Sequence, residues 1–231
     1  MIESAIILAA GRGERMRPLT DSTPKPLLPV AGRSMLDRAI DHLEACGVSN
    51  IVINVHHLGE QIAERFEDRA RIIREDRLLE TGGSVKNALP FLGDKPFFVL
   101  NGDSLWSEGP GGPVLSRMLG RWSPERMDAF LLIHPLYKVI GREAKDRGDY
   151  FFEPGGIVRH RGTAPLSPYV FAGASVCTPH LFRDSPDGPF SLLQLWNRAE
   201  AEGRLSGMEH DGDWFHVGTP AALAEAERVL G

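Results

Sequence analysis

Apolar positions fall in short, nearly unbroken runs: Ala5 to Ala9, Ile51 to Val55, Phe97 to Leu100, Ala129 to Ile133 and Tyr169 to Val176. Continuous runs of four to eight such residues suit strands covered on both faces. The segments between them repeat at helical spacing instead. Met35 to Ala45 places Leu36, Ala39, Ile40 and Leu43 on one stripe, and Gly47 follows as a stop. Leu58 to Phe66 predicts a second helix, and Ser84 to Leu89 a third that ends at Pro90. Strand alternating with helix through the first 130 residues predicts an α/β sheet with parallel strands. The pattern then loosens. Residues 104 to 127 hold Gly and Pro clusters around one helix, and residues 134 to 168 are rich in Gly, Pro and charge. Glu200 to Gly203 closes one late helix, and Pro220 opens the last, Ala221 to Leu230. No internal repeat interrupts the chain, so a single domain of 231 residues is expected.

Charge sharpens this picture. The net charge of −5 argues against a nucleic-acid partner, because phosphate backbones select a basic face. Between residues 11 and 33, however, Arg12, Arg15, Arg17, Lys25 and Arg33 face only Glu14 and Asp21. A basic island inside an acidic chain suits a small anionic ligand, a solvated basic loop being the alternative. No run approaches the roughly 20 apolar residues of a membrane span. At the N-terminus the basic residues follow the apolar stretch, the wrong order for a signal peptide. Cys46 and Cys177 lack metal-type spacing. A cytoplasmic protein with no membrane partner is expected.

The densest local signal is Leu8-Ala9-Ala10-Gly11-Arg12-Gly13-Glu14-Arg15. A buried strand runs into small residues and two glycines, so backbone N–H groups can approach a ligand. The arginines beyond add charge, making a cradle for a di- or triphosphate. Neither common phosphate loop fits. The dinucleotide fingerprint requires glycine where Met16 stands, and a P-loop requires Gly-Lys-Ser/Thr where Gly13 is followed by Glu14. Downstream, Pro24 and Pro26 stiffen the backbone around Lys25. An ammonium presented from such a segment can neutralise charge that builds up in phosphoryl transfer; a lysine in an ordinary surface turn is the plainer alternative.

These residues, LAAGRGERMRPLT followed by TPKPLLPVAGRSML, resemble the N-terminal signature of the sugar-1-phosphate nucleotidylyltransferases. The likeness continues in order through Leu79-Glu80-Thr81-Gly82-Gly83, Asn101-Gly102-Asp103, Phe171-Ala172-Gly173 and Trp214-Phe215-His216-Val217-Gly218-Thr219-Pro220. Within that family the chain is most similar to the short N-acetylmuramate-1-phosphate uridylyltransferases of cell-wall recycling. The resemblance implies a Rossmann-like, mixed but mostly parallel sheet with helices on both faces. It also implies a nucleotide-binding half, 1–130, and a sugar-binding half, 131–231. The implied reaction is attack of a sugar 1-phosphate oxygen on the α-phosphorus of a nucleoside triphosphate, UTP before others, with release of pyrophosphate.

Carried over by position, Arg15 would hold the leaving β/γ-phosphates and Lys25 would serve the α-phosphate and the incoming sugar phosphate. Ala9, Ala10, Gly11 and Gly13 would face the nucleotide, with Glu75 at the pyrimidine edge and Thr81 and Gly82 completing the base site. Glu75 has the alternative of an exposed carboxylate at a strand end. Gly148, Asp149 and Gly173 would contact the sugar. Asp103 follows a buried run within three residues and so stands at a strand's C-terminal edge. A carboxylate facing triphosphate there calls for a cation, Mg²⁺ or in its place Mn²⁺.

One position departs from the family pattern. Relatives carry an aspartate, the second metal ligand, where this chain has His216, and imidazole suits Mn²⁺ better than Mg²⁺. Asp211 and Asp213 would point to the opposite face of an extended segment. His216 is therefore expected to contact phosphate or a metal-bound water. A lactyl carboxylate on the sugar would select a cation, with Lys86, Lys138, Arg142 and Arg159 as candidates. Trp106, Trp196 and Trp214 are candidates for the cleft wall or the core. Competing readings are a guanylyl- or thymidylyltransferase for mannose, heptose or glucose 1-phosphate, and a nucleotide-sugar sensor without turnover. A monomer or weak homodimer is expected.

Overall fold

The structure, a computed structural model, describes residues 2–231. The chain opens with β1 (Ser4–Leu8), a small hairpin of β2 (Pro29–Val30) and β3 (Arg33–Ser34), α1 (Met35–Ala45), β4 (Asn50–Val55), α2 (Gly59–Phe66) and β5 (Arg71–Arg74). It continues with α3 (Glu80–Leu92), β6 (Phe97–Asn101), β7 (Leu105–Trp106), α4 (Val114–Arg121) and β8 (Ala129–Pro135). The remainder carries β9 (Tyr150–Glu153), β10 (Ile157–His160), β11 (Tyr169–Cys177), α5 (Leu192–Ala201), β12 (Leu205–Glu209), β13 (Trp214–Phe215) and α6 (Pro220–Leu230).

The described residues form one nine-stranded sheet in the order β5-β4-β1-β6-β11-β8-β12-β10-β9. β5, β4, β1 and β6 run parallel, as do β8 and β12. β11 lies antiparallel between β6 and β8. Side chains alternate across the strands and bury both faces. Ile7, Ile53, Phe98 and Leu132 pack with Leu36, Ile40, Ile62, Phe66 and Met118 of α1, α2 and α4. Ile6, Val52, Val99 and Leu131 pack on the other face with Val85, Ala88, Leu195 and Trp196 of α3 and α5. Helices thus cover both faces of a mixed, mostly parallel sheet.

Three local features depart from the sequence pattern. Helix α3 starts four residues before Ser84 and runs past Pro90. Proline inside a helix costs about 3 kcal/mol, but burial of Val85, Ala88 and Leu92 against the sheet holds that last turn in place. Strands β5 and β12 are additions, too short and too polar to stand out as apolar runs. Residues 136–168 contain the β9–β10 hairpin, closed by the turn Glu153-Pro154-Gly155-Gly156 with Gly156 N donating to Glu153 O at 3.2 Å. That whole excursion leaves and returns at one point: Leu136 N donates to Pro168 O at 2.8 Å, and Tyr169 pairs with Pro135.

Candidate active site

Parallel strands deliver their following loops to one sheet edge, which is where open α/β sheets form ligand crevices. Two cavities lie along this edge. The first, about 640 Å³, is lined by the Leu8–Met16 segment together with Asn54, Glu75, Thr81 and Ser84. The second, about 550 Å³, is lined by residues including Asp146, Asp149, Phe171, Trp214 and His216. Lys25, Asn101 and Asp103 line both, so the cavities meet at these three residues.

The loop after β1 presents amides as its composition suggests. Among the described residues, the backbone N–H groups from Ala10 to Arg15 donate to no protein acceptor, whereas Met16 N closes on Gly13 O at 2.8 Å. Gly13 is left-handed, φ 62°, where a Cβ would also meet Lys25 and Thr20 at 3.0 Å. Ala9 differs from its neighbours. Its N–H donates to Asn54 Oδ1 at 2.9 Å, and Asn54 Nδ2 in turn donates to Glu75 Oε1 at 2.9 Å. Glu75 Oε2 accepts from Leu79 N at 3.3 Å. Glu75 is therefore buried, not exposed at a strand end, and it fixes the amide side chain that anchors the start of the loop. Asn54 is one residue that sequence reasoning misses; a polar side chain inside the apolar run Ile51 to Val55 is the available signal.

Lys25 heads a 3₁₀ turn, Lys25–Leu27, whose N-cap is Pro24. Its side chain is only 13% exposed and reaches Asp103 Oδ2 at 2.5 Å. It is thus not the lysine of an ordinary surface turn: its stem lies beside Gly13, and its ammonium stands at the junction of the cavities. Arg15 is half-exposed, and its Nη1 donates to Glu143 Oε1 at 3.2 Å across the cleft. Glu143 also meets Lys145 at 2.8 Å. These contacts hold its carboxyl below the usual range, the Lys145 hydrogen bond foremost.

Thr81 lines the first cavity, and its Oγ1 accepts from Leu192 N at 2.9 Å. Gly82 does not line it. Its amide donates to Phe190 O at 2.8 Å, so this N–H is taken by protein.

Gly148 and Asp149 line the second cavity. Gly148 O accepts from Arg161 Nε at 2.9 Å, and Asp149 Oδ2 from Phe171 N at 2.9 Å. Gly173, φ 80°, sits where the β11–β8 register shifts between Phe171 and Ser175, behind the cavity wall. A Cβ there would collide with Ser104. His216 lines the cavity with Lys25, Asp103 and Asp146. Burial lowers its pKa below the usual 6.5; Arg15 and Lys25 act in the same direction, against Asp146 and Asp103. Asp211 and Asp213 are engaged elsewhere, with Arg117 at 2.5 Å and Ser107 at 3.4 Å. Trp214 lines the cavity, while Trp106 and Trp196 belong to the two cores. Beneath Trp214 lie His134 and His210, ring centroids 5.8 Å apart.

A phosphate-ready loop, a lysine–carboxylate pair and two cavities joined there suit group transfer between two polyanions. The comparisons agree with that chemistry. Residues 5–135 match the family of the MobA-like NTP transferase domain. The N-acetylmuramate alpha-1-phosphate uridylyltransferase of Caulobacter vibrioides is 41% identical over 235 residues, covering 98% of this chain and 96% of that protein. That of Neisseria meningitidis serogroup B is 36% identical, covering 98% of both. A UDP-glucose pyrophosphorylase solved with UDP-glucose shares the fold, with TM-score 0.78 over 100% of this chain and 98% of the other at 17% identity. With a family match over more than half its length and near-complete coverage of these relatives, the chain belongs to the sugar-1-phosphate nucleotidylyltransferases that carry a MobA-like NTP transferase domain.

Proposed function

We propose that this protein transfers a uridylyl group from UTP to N-acetylmuramate 1-phosphate. A sugar phosphate oxygen attacks the α-phosphorus, the bond from that phosphorus to the β-phosphate bridging oxygen breaks, and pyrophosphate leaves with the electron pair. The observation that carries the reading is the pair of cavities meeting at Lys25, Asn101 and Asp103. Donor and acceptor approach from opposite sides of one ammonium. The choice of base and sugar rests on the two uridylyltransferase relatives.

Each residue then has a task. The free amides of the loop and Arg15 hold the β- and γ-phosphates, and release of Arg15 from Glu143 accompanies their arrival. Lys25 neutralises charge building on the α-phosphate, a preorganised contact of the kind that contributes most in phosphoryl transfer. Glu75 and Thr81 line the base end, Glu75 offering a lone pair to the uracil N3–H while it holds Asn54. A divalent cation fits this donor set. Asp103 is 41% exposed, and its contact with Lys25 uses only Oδ2. Such an ion would be held by Asp103, by substrate phosphates and by water, with His216 at its margin. When bound, Mg²⁺, or Mn²⁺ in its place, supplies charge neutralisation to the triphosphate. Because its substrates are nucleoside triphosphate and sugar phosphate, the reading places the enzyme in the cytoplasm, in cell-wall sugar recycling, as a monomer or weak homodimer. No helix among the described residues is long and apolar enough to cross a membrane.

Pyrophosphate release from each nucleoside triphosphate with a panel of sugar 1-phosphates, in Mg²⁺ or Mn²⁺, tests this. UTP with N-acetylmuramate 1-phosphate is expected to lead. Turnover only with GTP or dTTP overturns the base, and tight nucleotide binding with no pyrophosphate overturns the enzyme in favour of a sensor.

A further inference from the structure

None of the cations suggested by the sequence for a sugar carboxylate, Lys86, Lys138, Arg142 or Arg159, lines the acceptor cavity. Lys86 is spent on Ser185 O, Pro186 O and Asp187, and Arg159 on Glu153. Besides Lys25, the cavity wall carries three others: Lys145, Arg147 and Arg161. Lys145 is neutralised by Glu143 at 2.8 Å. Arg161 ties the wall together, Nε to Gly148 O at 2.9 Å and Nη1 to Ala164 O at 2.6 Å.

Arg147 is different. Only its Nη1 is engaged, with the carbonyls of Ala144 at 2.8 Å and Asp146 at 3.3 Å, and among the described residues it forms no ion pair. Its backbone is fixed, since Ser167 N donates to Arg147 O at 2.8 Å. The guanidinium therefore keeps Nε and Nη2 available as a planar fork on an anchored segment, the geometry that takes a carboxylate through two parallel hydrogen bonds. Phe171 and Trp214 line the same cavity and offer apolar surface to a sugar ring.

We propose that Arg147 determines acceptor specificity by binding a carboxylate carried on the sugar, so that the cavity selects an acidic sugar 1-phosphate over its neutral counterpart. This rests on the acceptor reading above and deepens it. N-acetylmuramate differs from N-acetylglucosamine by a lactyl ether in place of one hydroxyl, so the two ligands report the lactyl group and the Arg147 variants separate its charge from its bulk. The test is calorimetric binding of UDP-N-acetylmuramate and UDP-N-acetylglucosamine to the full chain and to Arg147→Gln and Arg147→Lys, with melting curves to confirm folding. The wild type is expected to favour the acidic ligand. Arg147→Gln reduces that preference by about 10- to 100-fold, the range for a lost charged hydrogen bond, and Arg147→Lys restores part of it because the charge returns without the fork. An unchanged ratio, or an equal loss for both ligands, overturns the role of Arg147. A wild type with no preference overturns the acceptor reading itself, and that result appears before any variant is made.

Discussion

The nucleotide cavity and the acceptor cavity share a wall but are built by different means. The first rests on the ends of β1, β4 and β6, with free backbone amides and a short relay from Ala9 through Asn54 to Glu75. The second takes part of its wall from residues 136–168, held by side chains reaching across loops: Glu143 to Arg15 and Lys145, Arg161 to two carbonyls. On the proposed reading, the contrast sets a sheet edge that handles the nucleotide beside a loop, held by ion pairs and carbonyl contacts, that meets the acceptor.

The largest expected effect is at the shared wall. Lys25→Ala should lower turnover by about 10²- to 10³-fold with either substrate saturating, the scale for one charge-stabilising group, with melting curves to confirm that the variant folds. A rate within twofold of wild type would remove Lys25 from the mechanism and leave the two cavities unconnected chemically.

Behind the acceptor cavity, Gly173→Ala combines a left-handed backbone with a collision against Ser104. A stability loss of about 2–4 kcal/mol is expected from denaturant titration. Gly11 on the nucleotide side has nothing within 4 Å of an added Cβ, so the comparison isolates packing from ligand approach. Equal stability of the two alanine variants would contradict the bulge geometry.

The acceptor side should also respond to acid. Burial, assisted by His210, lowers the His134 pKa from 6.5 to about 4. The unfolded chain therefore binds this proton more readily than the folded one, and stability contributed by neutral His134 is present above pH 6.5 and lost as pH falls through about 4. A decline of about 1–3 kcal/mol across that window is expected, and His134→Leu should flatten it. A wild-type profile without slope there would mean that protonation is accommodated.

The smallest effect concerns the bridge between the regions. Glu143→Gln frees Arg15 from a competing carboxylate, so the KM for nucleotide should fall by about two- to fivefold, in keeping with a solvent-exposed ion pair. A rise in KM would show instead that Glu143 orients Arg15 for the triphosphate.

Legibility in the sequence follows the same division. The five apolar runs became strands and Met35–Ala45 a helix because local periodicity and sheet burial agree there. The Gly11–Gly13 loop was readable because small residues after a buried strand have few other uses. The Arg147 wall was not, since its partners are backbone carbonyls and Ser167, which leave no pattern along the chain. Gly82, which the resemblance assigns to the base site, bonds instead to Phe190, 108 positions onward, a partner that leaves no pattern along the chain.

The return of the chain at Leu136 and Pro168 to almost the point of departure has a practical corollary. A segment whose ends are joined by a hydrogen bond can be exchanged for one of another length at small entropic penalty. Exchanging this cassette would therefore remake one part of the second cavity's wall while Phe171, Trp214 and His216 stay in place.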